Sequence, residues 1–278
     1  MSSALACAVL SYQDEPYLVQ AVRSVLQQDV EVEVVVINSG GGDPSARLSA
    51  AGLDVPVHSV SHGLRAGGVR NMAIDRTNAR YLAFLAADCL AGPGWAAARL
   101  RAHDAGAAAV ASAMTNAYPE STSAWASLMI LHGRRMAVTR PSQRLMYSLS
   151  YDRALFERFG RFREDLPAGE DTEFNARFRG HATTAFAADV ITAHRYPTEP
   201  LSMLHDAFRR GGLQARMQGA LEGRGPRNIR VAVRGPLGVI RAVDLAARTQ
   251  GPERARLVRA LPLAVAASVS YTLGALTA

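Results

Sequence analysis

Tyr81-Leu-Ala-Phe-Leu-Ala-Ala-Asp-Cys-Leu90, continuing Ala-Gly-Pro-Gly-Trp95, joins a buried-strand pattern to a single acid and a Gly/Pro turn. Tyr81 to Leu85 is an apolar run with the length of a buried strand, and the Gly/Pro turn after it stops it. One carboxylate, Asp88, stands at its C-terminal end. Open α/β sheets place ligand chemistry beyond the carboxyl ends of their strands, so an acid there is a candidate for binding. The plainer alternative is an aspartate that caps the next turn.

Working outward, Ala4 to Leu10 is an unbroken small and apolar run, as expected of a strand buried on both faces. A polar loop, Ser11-Tyr-Gln-Asp-Glu-Pro16, leads to Tyr17, Leu18, Ala21, Val22, Val25 and Leu26 at helical spacing. Val32 to Ile37 is the next β-branched run and ends in Asn38-Ser-Gly-Gly-Gly-Asp43. Strand, helix, strand with polar residues at both strand ends is a βαβ unit, hence a parallel sheet and an α/β fold. Val55 to Val60 predicts a third strand, Ser61 to Gly68 a flexible loop, and Val69 onward a helix.

Past the opening stretch, a helix is expected over 96–105 and a strand over 107–113. A further helix is expected around Ser123 to His132, then a basic loop at Arg134-Arg135. Pro141 breaks the chain before 145–149, and Ala154 to Phe159 is a short helix. Glu170-Asp-Thr-Glu173 opens another helix with acids in its first turn, where they suit the helix dipole. Segments 183–186 and 190–194 finish the body.

Two nucleotide motifs are excluded. Gly40 to Gly42 lack the G-x-G-x-x-G spacing and follow the second strand, and a chain without lysine holds no G-x-x-x-x-G-K-[ST]. Cys7 and Cys89 sit in apolar strand regions, which implies a reducing compartment without disulfides. The N-terminus lacks a basic segment followed by a long apolar run, so no secretory signal is expected.

All 31 basic residues are arginine, and the net charge of +7 is unevenly placed. Residues 207–278 carry 12 Arg against Glu222, Asp244 and Glu253. Aromatic residues are sparse there, so no stacking platform for nucleic acid is present and no nucleic-acid partner is expected. Pro200 to Leu221 predicts a helix with a kink at Gly211-Gly212, and Arg224 to Arg259 an Arg-rich, partly helical run. Ala260 to Ala278 then contains no charge in 19 residues. A basic run before an apolar tail favours peripheral or monotopic association with an anionic membrane surface, at the cytoplasmic face. The alternative is a C-terminal helix packed on the core or on a second subunit.

These pieces, in order, resemble the family 2 glycosyltransferases, with the GT-A nucleotide-sugar-binding fold. Val9-Leu-Ser-Tyr-Gln-Asp-Glu15 is similar to the family's P-A-Y-N-E-E, and Val35 to Asp43 to its strand ending D-D-G-S-T-D. Arg70-Asn71 sits where the family has an R-N helix, and Phe84 to Asp88 matches F-L-D-A-D in part. Phe159-Gly-Arg-Phe with Gly169-Glu-Asp-Thr-Glu173 resembles G-G-F followed by G-E-D, and His194 falls where a later histidine is found. The likeness covers residues 4–200.

The resemblance implies a GT-A domain over 1–200, a mostly parallel central sheet, and a basic helical region over 201–278. It implies an inverting transfer of a sugar from a nucleotide-diphosphate donor, expected to be a UDP-sugar, to an acceptor without a motif. Asp171 is the implied base, since an attacking hydroxyl needs a proton acceptor, with Glu170 supporting it or the acceptor. Leu10, Ser11, Tyr12, Glu15, Asn38, Arg70, Ala87 and Asp88 are the implied nucleotide-sugar contacts. Asp88 and His194 are the implied ligands of a divalent metal, Mn²⁺ or Mg²⁺, the mixed oxygen and imidazole set leaning to Mn²⁺. One departure is plain: the family's D-x-D reads Ala86-Ala87-Asp88. The alternative function is therefore a non-catalytic binding or scaffold protein on the same fold.

Overall fold

A computed structural model describes residues 3–146, 149–223 and 228–278. The chain divides into two compact units. The first comprises the chain to Ala113 with Met146–Asp165 and Gly169–Ala193; the second comprises Met114–Leu145, Leu166–Ala168 and His194–Ala278.

The first unit is built on eight strands: β1 (Leu5–Tyr12), β2 (Glu33–Ser39), β3 (Val57–Val60), β4 (Tyr81–Ala86), β5 (Cys89–Ala91), β6 (Ala109–Asn116), β7 (Ser150–Asp152) and β8 (Thr184–His194). The last residues of β6 and His194 belong to the second unit. They form one sheet in the order β3-β2-β1-β4-β7-β6-β8-β5. β1 pairs in parallel with both β2 and β4, and β2 with β3, while short β7 runs antiparallel to β4 and β6. The mostly parallel sheet expected from the βαβ reading is present.

Alternation explains the apolar runs. Leu5, Cys7 and Val9 of β1 join Tyr81, Ala83 and Leu85 of β4 on one face of the sheet. There they meet α1 (Leu18–Leu26), α2 (Pro44–Ala50) and the start of α4 (Trp95–Asp104). Ala6, Ala8, Leu82 and Phe84 face the other way, onto α3 (Ala66–Arg76), α6 (Ala154–Phe159) and α7 (Glu170–Phe178). Tyr151, Phe156, Phe162 and Phe174 pack as an aromatic knot on that face, with Phe162 and Phe174 rings 4.8 Å apart.

Three local expectations differ. The Gly/Pro turn after Asp88 is preceded by a second strand, β5, which reaches β8 through the Gly92 N–H to the Ile191 carbonyl, 2.8 Å. Segments 183–186 and 190–194 are one strand, β8. The loop expected to end at Gly68 ends earlier, because α3 already contains Gly67 and Gly68. Glycine is required at Gly67: a Cβ there would collide with the Arg163 carbonyl oxygen.

In the second unit α5 (Thr122–His132) packs with α8 (Pro200–Leu221), α10 (Arg234–Arg248) and α11 (Gly251–Leu276), and α9 (Asn228–Ala232) packs with those last three. α8 runs unbroken through Gly211-Gly212. Those glycines serve a close helix crossing. A Cβ on Gly211 would meet the Tyr271 carbonyl, and one on Gly274 of α11 would meet the Phe208 carbonyl. α11 also continues through Pro262. The Arg-rich run was read from Arg224, and residues 224–227 lie outside the described residues, as do 147–148 within the segment read as 145–149.

One buried histidine ties the sheet to its helices. His103 Nδ1 bonds the Ala107 carbonyl at 2.7 Å, Nε2 bonds Ser150 Oγ at 2.8 Å, and its ring stacks on Tyr81 at 4.0 Å. Burial pushes its pKa down to about 4. A folded pKa below the unfolded one means that the unfolded chain binds the extra proton first, so stability falls as pH drops from about 6.5 toward 4. Urea unfolding at pH 7 and pH 4 should show that loss, and His103→Gln should lose less over the same interval.

Candidate active site

The candidate site lies at the carboxyl ends of β1, β2 and β4, in the first unit. Parallel register sets Ser11 opposite Asn38 and Leu10 opposite both Ile37 and Ala86. The Ala87 N–H donates to the Leu10 carbonyl at 2.9 Å and extends that pairing by one step. Three of the expected contact segments are thus fixed by backbone alone.

Two polar atoms at these strand ends are orphaned. Ser11 Oγ and Asn38 Oδ1 are buried and find no hydrogen-bond partner among the described residues. Asn38 is fully buried, and its Nδ2 donates to the Gly41 carbonyl at 2.7 Å, which fixes the orientation of the unpaired oxygen. Unsatisfied buried polar atoms cost roughly 1–3 kcal/mol each, so a pair of them on adjacent strand ends calls for a ligand.

The glycine run that fails as a dinucleotide motif has a different job. Gly40, Gly41 and Gly42 all adopt positive φ, of 83°, 87° and 82°. A Cβ on Gly40 would stand 2.6 Å from the Tyr12 ring, and one on Gly42 2.6 Å from Asp14 Oδ1. The run therefore lets the loops after β1 and β2 touch. The contact is held by the Gln13 N–H to the Ser39 carbonyl (2.8 Å), and by the Asp43 N–H to Asp14 Oδ1 (3.1 Å). Gln13 is the non-glycine with positive φ among the described residues, at 53°. The Arg47 guanidinium binds the Asp14 and Glu15 carbonyls, which anchors Glu15. Tyr12 remains 55% exposed at the mouth.

The Arg70-Asn71 pair acts as a clamp on the acidic loop. Arg70 pairs with Glu170, and its guanidinium lies over the Phe84 and Phe162 rings at 5.5 and 5.8 Å. Asn71 Nδ2 donates to the Phe162 carbonyl (2.9 Å) and to Glu164 Oε1 (2.7 Å), while its Oδ1 accepts from the Phe162 N–H (3.1 Å). α3 thereby holds the loop that presents Glu170 and Asp171 at the start of α7. Burial raises the pKa of Glu170; Arg70 opposes that shift and Asp171 adds to it.

Asp171 lines a narrow cleft of about 30 Å³ with Leu10, Arg70, Phe84, Ala86, Cys89, Leu149 and Tyr151. Its Oδ1 accepts from the Thr172 N–H at 2.6 Å. Ala86, where the family motif carries an acid, opens on this same cleft. Tyr151 was not anticipated, because it lies in a strand of only three residues, β7; its hydroxyl donates to Asn175 Oδ1 at 3.0 Å. Asp88 is half-buried in the turn between β4 and β5, with Cys89 Sγ 3.5 Å from its Oδ1. A carboxylate held at that turn fits the oxygen preference of a divalent cation. His194 ends β8 and begins the second unit, where its ring stacks on Tyr196 at 4.4 Å.

Residues 7–163 match the sequence description of glycosyl transferase family 2. No curated protein matches the chain in sequence. Among solved structures, a mannosyltransferase of Pyrobaculum calidifontis in complex with GDP-Man and Mn²⁺ is similar. It has a TM-score of 0.63 at 16% identity, over 100% of this chain and 87% of that one. Residues 1–349 of Staphylococcus aureus TarS in complex with UDP-GlcNAc give 0.55 at 15% identity, over 98% of this chain and 90% of that one. At such identities the likeness shows the fold, and that fold is GT-A.

Removing Arg70 leaves Glu170 as an uncompensated buried acid. Arg70→Met should destabilise the protein by roughly 3–5 kcal/mol in chemical denaturation, and adding Glu170→Met should return much of the loss.

Proposed function

We propose, for a chain that belongs to glycosyl transferase family 2, that it moves a sugar with inversion from a nucleotide-diphosphate donor to an acceptor hydroxyl. The observation that carries the reading is the pair of orphaned buried atoms, Ser11 Oγ and Asn38 Oδ1, at the adjacent ends of β1 and β2. A nucleoside supplies a donor for the Asn38 oxygen and a partner for the Ser11 hydroxyl, and the exposed Tyr12 ring offers a face for its base. The proposed donor is a UDP-sugar. The two solved relatives hold GDP-Man and UDP-GlcNAc, which supports a nucleotide sugar in general.

Asp171 is the proposed base. It stands in the cleft that Leu10 and Ala86 reach from the strand ends, at the first turn of α7, and Glu170 beside it is held by Arg70. Removing the acceptor proton as the oxygen attacks the anomeric carbon requires a carboxylate at such a place. Asp88 is the proposed metal ligand, and His194 is kept as the second on the sequence resemblance. A divalent cation, Mn²⁺ or Mg²⁺, when bound, neutralises charge on the departing diphosphate. The region 201–278 is proposed to associate peripherally with an anionic membrane. α11 is the helix among the described residues that is long and apolar enough to cross one.

Ala86 favours a second reading, in which the fold binds without catalysing. Asp171→Asn separates the two. The transferase reading predicts turnover lowered at least ~10²-fold while UDP binding with Mn²⁺ is retained. Unchanged turnover would remove Asp171 as base, and a wild-type protein that binds UDP without turnover on any sugar donor would favour the binding protein.

A further inference from the structure

The arginines of the second unit, from the basic loop at Arg134-Arg135 and from the C-terminal run, are not evenly spread. A groove of about 440 Å³ opens between the basic turn after α5 and the exposed side of α10. Arg134, Arg140 and Arg241 line it, with Ser142 and Gln143 at one edge and Leu237 and Ile240 at the other.

Their charges are not equally answered. Arg140 donates to Asp244 at 2.7 Å, and Asp244 also receives Arg248 at 3.1 Å, so the acid at the rim is spent twice over. Arg134 Nε donates to the Gln143 carbonyl at 2.7 Å, a neutral partner. Arg241 has no hydrogen bond or ion pair among the described residues, although it is half-buried. Burial lowers the pKa of both guanidiniums. The charge of Arg134 lowers Arg241 further, and Arg234 and Arg135 do the same to Arg134. Two like charges held together in a groove whose one lining acid, Asp244, is already paired with Arg140 and Arg248 mark a place for an anion.

The groove's other edge says what kind. Leu237 and Ile240 are 54% and 68% exposed, one turn apart on α10, beside the guanidiniums. A free phosphate has no use for them. An amphiphile does, because its apolar chain covers the aliphatic side chains while its phosphate meets the arginines.

We infer that the groove between Arg134 and Arg241 is a headgroup site for an anionic membrane phospholipid, with Leu237 and Ile240 dipping into the acyl region. The inference rests on the membrane association proposed above, and it gives that association a fixed site instead of diffuse attraction to a basic surface.

Sedimentation of the full chain with phosphatidylcholine vesicles, with and without phosphatidylglycerol, tests it. Binding should require phosphatidylglycerol. Arg241→Gln should weaken it about fivefold, the ~1 kcal/mol of one arginine at an anionic surface, and Arg254→Gln, an exposed arginine of α11 outside the groove, by less than about twofold. Ile240→Ser should also weaken binding, and as an exposed position it carries the test if Arg241→Gln lowers the melting temperature. Equal losses in Arg241→Gln and Arg254→Gln would overturn the headgroup site while leaving membrane association standing. Displacement from the vesicles by millimolar inorganic phosphate would overturn the lipid as ligand. Absence of vesicle binding would overturn both the site and the association it rests on.

Discussion

The structure depends on the register of β1 between β2 and β4. That parallel pairing is made by backbone groups, and it decides which side chains share the edge of the sheet: Ser11 beside Asn38, Leu10 beside Ala86. A slip by one residue would turn Ser11 and Asn38 toward the opposite face and bring apolar neighbours to the mouth. The apolar cores on both sides forbid it, because Leu5, Cys7 and Val9 fit one face and Ala6 and Ala8 the other. Packing therefore positions the candidate chemistry.

A second layer of the site comes from far along the chain. Arg70 and Asn71 on α3 reach the segment from Phe162 to Glu170 and set the start of α7 against the sheet. Both α3 and that segment approach so closely that Gly67 admits no side chain beside the Arg163 carbonyl. The pair of residues that reads as a motif in sequence is thus mainly a fastening, with Arg70 also lining the cleft.

Much of this was legible in the sequence, for stated reasons. Buried parallel strands announce themselves as unbroken apolar runs, and β1, β2 and β4 were found within a residue or two. Ser11, Asn38 and the Glu170-Asp171 pair could be singled out as candidates because they stand at element ends, and Arg70 because its helix takes its place among them in a recognisable order. Gln13 and Asp14 were harder, since their importance lies in a contact with Gly40 to Gly42 that only the fold creates. Tyr151 gave no signal, because short β7 has neither length nor alternation. The groove of Arg134 and Arg241 was invisible for a further reason: its arginines are about a hundred residues apart, and the sequence shows their charge but not their convergence.

The central claim is that two buried, unpaired atoms at the strand ends await a nucleotide. Calorimetric titration of UDP with Mn²⁺ into the wild type and Ser11→Ala tests it most directly. Removing a hydroxyl that has no partner in the ligand-free protein should leave its stability unchanged or raised. Losing the bond that the nucleotide would make should weaken UDP binding about fivefold. Unchanged UDP affinity in Ser11→Ala, together with lowered stability, would contradict the account.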